Sequence, residues 1–184
     1  MQPRTLIRNV GIAAGVAGLA GFGIGLAAGK TQKPEDLPVA RRLPSDLCAR
    51  LGDVSALFPG TVELKQTGIG EVRCSAEVDE DSQPTHTRAG LTVTAETFPA
   101  TRGSTAEAMA RAEYDGEPWQ PLMNRPCPTK INAEQQGEDV WDIAVLTIRG
   151  DLVVKVDYNA APVTREAAQA AVLAIADKAV WEAK

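Results

Sequence analysis

The sequence predicts an α+β domain: an antiparallel β-sheet with helices packed on one face, preceded by a single N-terminal transmembrane helix. Three observations predict it. "VWDIAVLTIRGDLVVKVDYN" (Val140 to Asn159) alternates apolar and polar residues on both sides of Gly150-Asp151, the mark of a half-buried hairpin. Capped segments with an apolar stripe open and close the body of the chain. Ahead of that body, the run from Asn9 to Gly29 carries no charge.

That run sets the organisation of the chain. Residues 1–8 form a basic tail with Arg4 and Arg8. As a helix, residues 9–29 would reach about 30 Å, the thickness of a bilayer's hydrocarbon core. A secretory h-region is shorter, roughly 7 to 15 residues, so length favours a retained anchor. Small residues at Gly25, Ala27 and Gly29 also offer cleavage sites for a signal peptidase. Gly11, Gly15, Gly18, Gly21, Gly25 and Gly29 step by three or four, a small-residue seam that would let two membrane helices approach closely. Lys and Arg flank the run on both sides, so counting positive charges does not set its orientation. The short basic tail is expected inside, with the body outside the cytoplasm.

"KTQKPEDLPVARRLP" (Lys30 to Pro44) holds three prolines and no apolar period. Residues 30–43 therefore read as a linker, and 44–184 as the extracytoplasmic domain. Ser45 is expected to cap a short helix burying Leu47, Cys48 and Leu51. Asp53 is expected to cap a second turn that Pro59-Gly60 stops. Strands are predicted over "TVELKQT" (61–67), "GEVRCSAEVD" (70–79) and "AGLTVTAETF" (89–98). Val72, Cys74, Ala76 and Val78 share one face, the third segment repeats the pattern through Leu91, Val93 and Ala95, and the last two are expected to form an antiparallel hairpin with a long connection. "GSTAEAMARAEYDG" (103–116) reads as a helix capped by Ser104 with Glu107 at the capping-box position.

In the final hairpin, a two-residue Gly-Asp loop suits a type II′ turn. It sets Ile148 opposite Val153 and Thr147 opposite Val154. Trp141, Ile143 and Val145 then share a face with Val154, Val156 and Tyr158. The other face sets Lys155 beside Leu146 and Asp157 near Ala144, which leaves it partly wet. Thr164 caps a last helix whose buried stripe is Ala168, Ala171, Val172, Ile175 and Ala179.

Composition sets outer limits. The chain has 184 residues, 44% hydrophobic and 23% charged, with only 4% aromatic, so aliphatic side chains must build the core. A net charge of -5 without a basic stripe argues against nucleic acid as a partner.

The cysteines are Cys48, Cys74 and Cys127. An odd count allows one disulfide at most within the chain, with three possible pairings. Cys48 with Cys74 is the pairing expected, joining the first helix to a strand. Cys127 lies between prolines and no CxxC pair is present, so no metal site is expected.

"LPSDLCARLGDVSALF", "VRCSAEVD", "GEDVWDIAVLTIRGDLVVKVDYN" and the Ala-rich C-terminal helix together resemble a family of small actinobacterial extracytoplasmic, lipoprotein-like domains of unknown function. The resemblance spans about residues 43 to 181. In that family a helix-borne and a strand-borne cysteine recur in this order, which Cys48 and Cys74 match. Two departures stand out. No lipidated cysteine follows the apolar run, so a protein anchor would replace the lipid, and Ala76 stands where the family tends to place an aromatic residue. The resemblance implies a compartment and a fold and names no chemistry.

No catalytic set is expected. The one histidine, His86, sits in the polar stretch "SQPTHTRAG"; a secreted hydrolase would have to use it with Asp79 or Asp81, and a polar loop positions a general base poorly. "EVDEDS" lacks the central glycine and distal glutamate of a calcium loop. "RGD" (Arg149 to Asp151) is accounted for by the turn. "GEPWQPLMNRPCP" (Gly116 to Pro128) is read as an irregular, proline-stiffened loop. Trp119, Leu122, Met123 and Arg125 make it the candidate binding loop, unless Trp119 and Leu122 fold back over the sheet edge.

The function expected is a non-catalytic binding or accessory domain of the cell envelope, anchored in the membrane, without cofactor or metal. Its partner would be an envelope or membrane protein, or a small ligand. The alternative is a structural membrane protein that self-associates, or pairs with another protein, through its glycine seam.

Overall fold

The computed structural model describes residues 43–58, 62, 64–67, 71–78 and 89–183. The expected anchor and its glycine seam, the tail and all but the end of the linker lie outside the described residues. Among the described residues no helix is long and apolar enough to cross a membrane.

Alternating side chains build one antiparallel sheet of seven strands: β1 (Lys65–Thr67), β2 (Glu71–Glu77), β3 (Ala89–Thr97), β4 (Gln120–Leu122), β5 (Thr129–Gly137), β6 (Val140–Arg149) and β7 (Leu152–Ala160). Their spatial order is β1-β2-β3-β7-β6-β5-β4. Two meanders thus meet where β7 returns beside β3. Among the described residues, helices α1 (Leu47–Leu51), α2 (Ala106–Gly116) and α3 (Arg165–Glu182) accompany the sheet, and the fold is α+β as expected.

The β6–β7 register matches the sequence reading: Ile148 pairs with Val153 and Thr147 with Val154. Gly150 supplies the positive φ of 61° that the first loop position of a type II′ turn requires. Arg149 and Asp151, which flank that glycine, are buried to 6% and 8% exposure, so the RGD tripeptide is not displayed. The Arg149 guanidinium instead donates to the Val180 carbonyl of α3 at 2.9 Å, a cation at a helix C-terminus where the macrodipole favours it.

The core lies on the inner face of the sheet, where Cys74, Leu91, Val93, Val145, Val154 and Val156 are all at most 1% exposed. Helix α3 covers it through Ala168, Val172, Ile175, Ala176, Ala179 and Val180. Alanine at several of these positions lets its backbone lie close to the strands. Thr164 caps the helix, its side chain accepting from Ala167 N at 3.3 Å. Helix α1 packs on α3 and β2, burying Leu47, Cys48 and Leu51. Lys178 of α3 donates to the Leu51 carbonyl at 2.8 Å, closing the C-terminus of α1. Asp53 does not cap the 3-10 turn Ser55–Leu57, whose N-cap position is Val54; it accepts from the Ser55 hydroxyl and from Ser55 N, the latter at 2.8 Å, and these bonds hold its carboxyl below the usual range.

Several expectations need correction. Ser45 does not cap α1: the N-cap position is Asp46, and no side chain caps it. The helices do not share one face: α2 packs on the outer face, where Ala110 and Tyr114 join Leu146, Ile148 and Val153 in a second, smaller core. The cap of α2 is Thr105, not Ser104, accepting from Ala108 N at 3.1 Å. Residues 116–128 are not wholly irregular, because Gln120–Leu122 is the edge strand β4 paired with β5. An edge tolerates Pro121, whose missing N–H would break an interior ladder.

Tyr158 anchors the turn after α1 by donating to the Leu57 carbonyl at 2.8 Å. Burial pushes its phenol up to about 12. The folded chain therefore holds this proton after an unfolded tyrosine, near 10, has lost it, so stability falls as pH rises between about 10 and 12. Tyr158→Phe is expected to lower stability by about 1 kcal/mol at pH 7 and to flatten the decline above pH 10. Chemical denaturation across pH 8 to 12 measures both effects.

Candidate functional site

The two expected cysteines form a disulfide. Cys48 on α1 and Cys74 on β2 are bonded, with Cα atoms 5.4 Å apart, and both side chains are buried, at 5% and 0% exposure. Cys127 is a free, buried thiol. Burial pushes its pKa up, against the lowering influence of Arg149. A neutral, enclosed thiol is a poor nucleophile and a poor metal ligand. Among the described residues no three His, Cys, Asp or Glu gather to hold a metal ion. His86, Asp79 and Asp81 lie outside the described residues.

The expected binding loop is mostly turned to structural use. Trp119 packs against the outer core, with the Lys155 ammonium 5.3 Å from its ring centroid. Leu122 packs against the inner core. Arg125 pairs with Asp177 of α3 at 2.6 Å and reaches the Leu173 carbonyl at 3.4 Å, which ties the β4–β5 connection to the helix. Burial draws the Asp177 carboxyl up, and Arg125 opposes that shift. Met123 alone of the four is exposed, at 82%. Trp119 and Leu122 thus fold back.

A concave site appears elsewhere. The outer face is covered by α2 only toward the Gly150 end of β6 and β7. Beyond that cover the register sets Ser75, Thr92 and Asp157 in one row across β2, β3 and β7, with Glu77, Gly90 and Asn159 in the next. Lys65 of β1 stands beside Ser75. These residues line a groove of about 490 Å³, within the roughly 300 to 1,000 Å³ typical of small-molecule sites.

Three features shape the groove. Gly90 leaves the room that the Asn159 carboxamide occupies across β3: a Cβ there would stand 3.0 Å from its Oδ1, and the side chain would have to shift. Asp157 has its carboxyl raised chiefly by burial, while Lys155, 3.5 Å away, opposes the shift. Lys155 is itself held over Trp119, so the folded-back aromatic helps to position the groove's charge. Lys130 closes the neighbouring end of α2, donating to the carbonyls of Tyr114 and Glu117 at 2.7 and 2.6 Å. The arrangement supplies donors and acceptors on rigid strands and suits reversible binding.

The groove residues were not singled out from sequence, although the wet outer face of the last hairpin was. The signal was Asp157 and Asn159, with Lys155, alternating with apolar residues along β7, and Gly90 in the strand paired with it. Comparison with protein-family models, curated proteins and solved structures found no match.

Proposed function

We propose that this chain is a membrane-anchored, extracytoplasmic binding domain of the cell envelope, non-catalytic, which holds its ligand on the open outer face of the sheet. The observation that carries the reading is the buried Cys48–Cys74 disulfide. Such bonds form and persist on the oxidising side of a membrane, and the uncharged run at 9–29 is long enough to put the domain there. Polar groups without a nucleophile–base pair among the described residues fit recognition better than turnover.

The three-and-four spacing of Gly11, Gly15, Gly18, Gly21, Gly25 and Gly29 favours a second element of the same reading, pairing of anchors within the bilayer. Orientation is the test of the whole. Alkaline phosphatase, which folds only where disulfides form, is expected to be active when fused after residue 43. An active β-galactosidase fusion at that position, with an inactive phosphatase, would overturn the assignment.

A further inference from the structure

We propose that the groove between β1, β2, β3 and β7 binds a neutral, hydroxyl-rich saccharide. The inference rests on the outer face being the binding surface and names the ligand class that its chemistry selects.

The lining argues for that class by its mixture. Lys65 donates only, Glu77 and Asp157 accept only when ionised, and Asn159, Ser75 and Thr92 do both. A sugar hydroxyl donates and accepts at once, so it satisfies neighbours of both kinds; a phosphate or carboxylate ligand would leave Glu77 and Asp157 facing like charge. A multiply cationic ligand would in turn meet Lys65. Neutral diols avoid both conflicts.

Placement supports the same conclusion. The polar side chains stand on adjacent strands about 4.8 Å apart, so the ladder fixes the spacing of the backbone positions that carry them. The groove is more polar than the mainly apolar lining of most cofactor and drug sites. Gly90 opens its floor and Asn159 spans it. The Asp157 side chain is about half exposed beside Lys155, 3.5 Å away, so its remaining lone pairs are open to ligand hydroxyls. Among the described residues no aromatic platform lines the groove; binding is accordingly expected in the weak range, with Kd about 0.1 to 1 mM.

The test is a titration of the full chain in phosphatidylcholine nanodiscs with maltotriose and chitotriose, followed by backbone amide shifts. The expected result is saturable shifts at Thr92, Asp157 and Asn159 with at least one of the two. Asp157→Ala should weaken binding at least tenfold, roughly the loss of one hydrogen bond to a charged group. Thr92→Ala, a milder change that keeps the strand, should weaken it by a smaller factor, and Met123→Ala should leave it unchanged. If neither sugar moves the groove amides at about 10 mM, tenfold above the weakest expected Kd, the saccharide class is overturned. Inorganic phosphate and tri-lysine then separate the two failures. Groove shifts with either would keep the outer face as the binding surface, and shifts with none would overturn that as well.

Discussion

Removing the disulfide with a Cys48→Ala/Cys74→Ala pair is expected to destabilise the domain by about 3 to 4 kcal/mol. The bond closes a loop with a sequence separation of 26, and the chain entropy returned to the unfolded state by opening such a loop is of that size. For a domain of this length the loss corresponds to roughly 10 °C in melting temperature. The effect should be uneven. Helix α1 would keep its packing, the Lys178 bond to the Leu51 carbonyl, the Gln66 bond to the Ser45 carbonyl and the nearby Tyr158 bond to the Leu57 carbonyl, so its amides should lose hydrogen-exchange protection before those of β3 and β7. Equal melting temperatures with and without the two cysteines would show that the bond contributes nothing to the fold.

Leu91→Ala carries the other large effect, about 2 to 5 kcal/mol. Leu91 is 1% exposed on β3, a strand flanked on both sides, and truncation there leaves a cavity that its strand neighbours cannot fill. The next residue, Thr92, points to the outer face and lines the groove; Thr92→Ala should cost no more than about 0.5 kcal/mol. The pair tests the register, because a shift of one residue would exchange the two faces. Urea unfolding of both variants reads the difference, and similar losses for the two would contradict the assigned faces.

Elements whose two faces differ sharply were legible in the chain. The β6–β7 hairpin carries independent alternations on either side of a loop that needs a glycine, and only one register satisfies both. Strands β2 and β3, the stripe of α3 and the Thr164 cap follow from equally local chemistry. The cysteine pairing was legible because one cysteine fell on a helix stripe and the other on a strand's buried face.

Strands β4 and β5 were not legible. In β5 only Thr129 and Ile131 are buried, and the residues beyond Ala133 are exposed, so its alternation fades along its length. In β4 a proline and flanking turns hide an edge strand. The side chosen by α2 was written more faintly, in apolar Leu146 and Ile148 on a face that otherwise carries Asp142, Lys155 and Asp157. The groove could not be read from local sequence. It draws on four strands spread from Lys65 to Asn159, and only their pairing brings Lys65, Ser75, Thr92 and Asp157 together. The loop at Trp119 drew attention instead because aromatic and Met side chains between prolines look exposed, whereas Trp119 lies against α2 and the sheet and Arg125 is tied to α3.

The most direct test of the account is the intact mass of the native chain taken from membranes and alkylated without reduction. A mass that retains residues 1–30, with a single alkyl group on one thiol after unfolding, is the result predicted. Three alkyl groups on a chain recovered from the soluble fraction would contradict it.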